Sequence, residues 1–159
     1  MPKAKVSSKK IVHVAAVLED IHMVHETSKI IDDRARGRAG SPIQARATTH
    51  SNIGVAIFES PKGARELRVT FAYRVEVDNP DGNARLFDYA SEFHARFSVS
   101  EMAGIVVGEP VPVSAVATYL NQVAWLARAR AQGTISAMGT AGINLPLSTT
   151  YEEPAAAAT

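Results

Sequence analysis

The sequence contains no cysteine, which excludes disulfides, thiolate zinc sites and cysteine nucleophiles and fits a reducing compartment. Charge of neither sign dominates. Against 17 basic side chains stand 16 acidic ones, so a net +1 gives no overall pull toward nucleic acid or anionic lipid. No apolar run approaches the roughly 20 residues of a membrane helix. The N-terminal "MPKAKVSSKK" is basic, but His13, Glu19 and Asp20 interrupt the apolar stretch behind it, so it lacks the core of a signal peptide. The expected location is the cytoplasm, with no membrane partner.

Catalytic signatures are missing as well. "GRAGSP" lacks the Lys-Ser/Thr ending of a phosphate loop, and no Gly-x-Ser-x-Gly elbow occurs. His13, His22, His25, His50 and His94 have no zinc-ligand spacing. The expectation is a protein that is not an enzyme and uses neither cofactor nor metal. What is present is an ordinary globular composition, 46% hydrophobic and 21% charged over 159 residues, which fits one domain. That domain is expected over residues 1–151, with residues 1–10 a flexible basic leader and "EEPAAAAT", 152–159, a disordered tail.

Period-2 patterning carries most of the chain. Val12, Val14, Ala16 and Leu18 share one face, after which the apolar face passes to Ile21 and Met23, a phase slip that predicts a β-bulge near Glu19 and Asp20. A helix is the other reading of this segment. Residues 32–51, polar and rich in Gly, Ala and Arg, have the composition of a long crossover loop. A strand "NIGVAIF" follows. Leu67, Val69, Phe71, Tyr73, Val75 and Val77 then alternate with polar residues or alanine without a miss, and "DNPDGN" supplies a turn through Pro80 and Gly82. Phe87, Tyr89, Phe93, Phe97 and Val99 return on the second arm of this antiparallel hairpin.

After "GEPVP" the period changes to about 3.6. Val113, Val116, Ala117, Leu120, Val123, Ala124, Ala127 and Ala131 form one stripe, with Pro112 at the helix start. Tyr119, Trp125 and Leu126 fall off it, so the helix is apolar on more than one side and should be covered twice. Small residues would admit a second helix, and Arg128 and Arg130 could pair across a subunit boundary. The order β-β-β-β-α predicts an α+β fold: a four-stranded antiparallel sheet with a long C-terminal helix packed on one face.

The stretch "VLEDIHMVHE" sets His22 and His25 ahead of Glu26, but the order His-x-x-His-Glu fits neither helical zinc box. In a regular strand residues three apart face opposite ways. That reading puts His22 with Val24 and Glu26, and His25 with Ile21 and Met23.

Taken in order, these elements resemble the SecB family of export chaperones. "LEDIHMV" is similar to the family's first strand, and "GARELRVTFAYRVEVDNPDGNARLFDYASEFHARFSV" to its long hairpin, ending in Phe97-Ser98-Val99. "VAWLARARAQGTISAMGTAGINLPL" resembles its helix, with Leu126-Ala127-Arg128, the Gly139-Thr140 exit and Ile143-Asn144-Leu145. The resemblance implies a homo-oligomer, a dimer of dimers, that holds unfolded clients in apolar grooves without ATP. On that basis the client-binding candidates are Ile21, Met23, Val24, Ile30, Ile31, Ile43, Ile143, Leu145 and Leu147. The oligomer-interface candidates are Ala117, Tyr119, Ala124, Trp125, Arg128 and Ala131.

The chain also departs from the family pattern. Family members are acidic and use sheet carboxylates to meet the export motor SecA. Asp20 matches one such partner-binding position, but Val24 stands where a second carboxylate is usual, which argues against SecA as a partner. The crossover has Arg34, Arg36, Arg38 and Arg46 in place of a tryptophan, and the family's second helix is barely present after Pro146. Divergent members associated with toxin–antitoxin systems or phage serve one particular client, and this chain looks more like those. The leading expectation is therefore a holdase or adaptor for unfolded or disordered polypeptide. The alternatives are an interaction protein with one fixed partner on the same scaffold and, behind it, a nucleic-acid-binding module using the Arg34 to Arg46 loop.

Overall fold

Alternating side chains over residues 65–78 build the spine of the molecule. The computed structural model describes residues 12–32, 45–138, 143 and 145. It contains β1 (His13–Ile30), β2 (Arg46–Glu59), β3 (Arg65–Asp78), β4 (Arg85–Ala103) and α1 (Val113–Ala137). The strands form one antiparallel sheet in the order β1-β4-β3-β2, so β4 and β3 are central and β1 and β2 are edges. Helix α1 rests on one face, against β4, β3 and β1. This is the α+β architecture expected from the sequence.

The core lies between sheet and helix. Leu67, Val69, Phe71, Tyr73, Val75 and Val77 of β3 are buried, and Phe87, Tyr89, Phe93 and Phe97 of β4 join them. Each large side chain removed from water in this way contributes about 1.5–3 kcal/mol. From the helix come Val116, Leu120, Val123, Ala124, Ala127, Ala131 and Ile135. The stripe thus runs one turn beyond Ala131, to Ile135, while Val113 and Ala117 lie at its margin, half-buried. The turn before β4 is fixed by Gly82 at φ 71°, and the Asn79 side-chain oxygen accepts from the backbone of Asn83 and Ala84.

Three expectations need correction. The crossover is shorter than residues 32–51, because β2 begins at Arg46 and pairs regularly with β3. Thr48, Thr49 and Ser51 are polar but sit well on a half-exposed edge, where strand propensity follows surroundings more than hydropathy. Val12 is outside the strand, which starts at His13. In β1 the expected bulge is present, as a register shift between Leu18 and Asp20, but further shifts lie between Ala15 and Ala16 and, through one more residue, between Met23 and His25. That extra residue, Val24, reverses the alternation: His22 pairs His94 and His25 pairs Glu92 on the outer face, while Glu26 turns inward opposite Ser91. The two histidines therefore share a face, contrary to the regular-strand reading. Arg34, Arg36, Arg38, Ile43, Leu147, the leader and the tail lie outside the described residues.

Candidate functional site

Strand β1 follows from its sequence as an edge with too many apolar side chains for one core. Its helix-facing positions are Val14, Ala16, Leu18, Ile21, Met23, Glu26 and Ile30, read from partners such as Phe97, Ala95, Phe93 and Phe87. Only Val14 is buried; Ile21 and Ile30 are half-buried against the core. Around them Val17 is 68% exposed, Val24 51%, Ile31 45%, Leu18 41% and Met23 38%. Such apolar surface on a sheet edge is costly to leave in water. Met23, Val24 and Ile31, client-binding candidates from the sequence, are among these exposed residues. Val17 and Leu18 were missed, although the consecutive pair occupies both faces at once, which is the signal that could have found them.

Ile143 and Leu145 do not belong to that open surface. They are 6% and 3% exposed, members of this chain's own core. Their backbone is held by the helix: Gln132 donates to the Ile143 carbonyl (2.7 Å) and accepts from the Leu145 N–H (3.1 Å), and Arg128 donates to the Leu145 carbonyl (2.8 Å).

The candidate interface residues divide in two. Ala124 and Ala131 are buried against the chain's own sheet, and Ala117 is half-buried, because helix periodicity puts them on the inward stripe. Tyr119 is engaged at home as well: its hydroxyl donates to the Val14 carbonyl (3.0 Å) and accepts from the Ala16 N–H (2.8 Å). Trp125 faces away, 66% exposed on the outer side of α1 with Gln122 and Ala129.

Below the C-terminal half of β1, Glu26 ties three elements together. Its carboxylate accepts from both Nε and Nη2 of Arg130 (2.9 and 2.8 Å), from Tyr89 Oη (3.1 Å) and from Thr134 Oγ1 (3.1 Å). The Arg130 hydrogen bonds outweigh partial burial and hold the Glu26 carboxyl below its ordinary range. Burial pushes the Tyr89 hydroxyl up to about 12.

The outer face of the sheet is polar and balanced. Arg85 meets Asp78, Asp88 and Glu76 at 2.6 to 2.8 Å, Arg68 meets Glu66 at 3.0 Å and Arg96 meets Glu19 at 3.5 Å. Asp20 lies 3.4 Å from His22, and Glu92 lies 2.7 Å from His94. Two shallow depressions of about 310 and 300 Å³ lie on this face, one beside His25, His50 and Arg74, the other beside Asp20, His22 and His94. Among the described residues no three ligand-type side chains converge as a metal site would require. No described helix is long and apolar enough to cross a membrane.

No family model and no curated protein matches the chain. Among solved structures, the fold is similar to that of the SecB-like chaperone Rv1957 of Mycobacterium tuberculosis, in complex with a ChAD peptide from the Rv1956 HigA1 antitoxin. The TM-score is 0.52 at 15% identity, covering 82% of this chain and 89% of that one. A protein of unknown function from Streptococcus agalactiae matches with a TM-score of 0.47 at 12% identity, covering 84% and 98%. The fold is SecB-like, in a divergent form.

Proposed function

We propose that this chain is an ATP-independent holdase or adaptor that binds unfolded or disordered polypeptide segments, working in the cytoplasm as a homo-oligomer. One observation carries the reading. Of the large apolar side chains exposed among the described residues, Val17, Leu18, Met23 and Val24 lie on one edge strand, with Ile31 just beyond it. An extended client needs a long apolar track open to water, met by many weak contacts and not by one pocket. The polypeptide bound to the fold's solved neighbour supports a client of that chemical kind.

SecA is left out of the proposal, because the outer-face carboxylates stand in ion pairs with Arg85, Arg68 and Arg96 and give no acidic field. Nucleic-acid binding ranks below the client reading for the same balance of charge.

The test is suppression of aggregation by unrelated, chemically denatured proteins, without nucleotide, at stoichiometric amounts. Wild type should suppress light scattering for several clients. The double variant Val17→Asp and Val24→Asp should need at least fivefold more protein for the same effect while keeping its thermal midpoint, since both positions are exposed. Failure across clients, with tight binding of one native partner, favours the fixed-partner interaction protein.

A further inference from the structure

Gln132 and Arg128 stand one turn apart on α1 and so share a face of the helix. Three of their hydrogen bonds fall on the Ile143 carbonyl, the Leu145 N–H and the Leu145 carbonyl. In an extended chain these are successive backbone groups pointing to one side. The side chains of residues two apart also share a face, and here both are buried. Ile143 and Leu145 are thus each held at the backbone by helix side chains while their own side chains are buried. Carboxamide and guanidinium groups that contact backbone are indifferent to sequence, and the aliphatic side chains of Ile143 and Leu145 supply burial.

Ordinary packing after a helix would fill these apolar positions without such a grip. A carboxamide that donates to one peptide group and accepts from the second residue on is instead a general receptor for extended backbone. We infer that the cleft beside Arg128 and Gln132 is a peptide-binding site occupied at rest by this chain's own Ile143 and Leu145, and that its external ligand is an extended polypeptide with aliphatic side chains at positions i and i+2. The inference rests on the client-binding reading above and specifies it: these two residues act as an internal competitor, and clients enter by displacing them. An internal competitor scales the apparent affinity for every client by the fraction of time the cleft is open.

The test uses the full chain and a synthetic 12-residue peptide carrying Ile-Asn-Leu between polar flanks, with a control in which both aliphatics are serine. On saturation with the first peptide, the Leu145 amide should shift in NMR spectra and exchange with solvent at least tenfold faster, while amides of β3 keep their protection. The variant Ile143→Ser with Leu145→Ser should bind that peptide about tenfold more tightly than wild type. Gln132→Ala on that background should weaken binding by about tenfold, because two backbone hydrogen bonds are lost. Protection of β3 and β4 amides checks that each variant is folded. Binding of the peptide with Leu145 still protected, or a double variant that binds no better, overturns the displacement while leaving the chaperone reading intact. No binding of any extended peptide, together with no suppression of aggregation, overturns both.

Discussion

At the scale of single residues, the carboxylate of Glu26 links edge strand β1 to β4 and α1 through Tyr89, Thr134 and Arg130. Glu26→Ala strands the Tyr89 and Thr134 hydroxyls in partly buried surroundings, and should lower stability by about 2 kcal/mol at pH 7 in a urea titration. The pH dependence has a fixed sign. Glu26 is held below its ordinary value of 4.5 in the folded state, so its contribution is complete above that value and is lost as pH falls through the lower, folded pKa. Wild type should lose more stability than Glu26→Gln on acidification below about pH 4.5; equal losses would mean the carboxylate is not the link described. This residue was hidden in the sequence. A regular alternation carried through His22 to Glu26 puts it outside, and only the extra residue Val24 turns it in.

At the scale of elements, the long hairpin of β3 and β4 was fully legible, because both arms alternate and the turn residues carry their own conformational reasons. Strand β1 was legible in its shift at Leu18 and Asp20 and not in the one at Met23 and His25, since Met23 and Val24 are both apolar and leave no visible break in pattern. The beginning of β2 was lost among threonines and serine, which read as loop until a neighbouring strand pairs with them. Helix α1 was legible in period and start, but small residues there had two readings. Ala124 and Ala131 turn inward against this chain's own sheet, while Trp125 is exposed on the outer side of the helix. A tryptophan exposed to 66% on a helix is a strong candidate anchor for a second copy. If it sits at a subunit boundary, Trp125→Ala should weaken association by about 2 kcal/mol or more, seen in sedimentation velocity as a shift to smaller species. An unchanged distribution would place the boundary elsewhere.

At the scale of the whole molecule, the sheet presents two unlike faces and an exposed edge. The inner face is closed by α1 and by Ile143 and Leu145; the outer face is a balanced lattice of ion pairs; the apolar surplus gathers on β1. The class of fold was readable from the order of periodicities. What could not be read was which aliphatics are spare, because Ile143 and Leu145 look like β1's exposed residues until the helix is seen holding their backbone. The central claim is that unfolded chains bind through apolar contact on this surface. Titration calorimetry with a permanently unfolded polypeptide, at several temperatures and at 0.1 and 0.5 M salt, tests it most directly. The prediction is a clearly negative heat-capacity change, with an affinity that varies less than about threefold between the two salts and falls in the Val17→Asp, Val24→Asp variant. Absence of binding, or a heat-capacity change near zero with an affinity that collapses by orders of magnitude in salt, would contradict it.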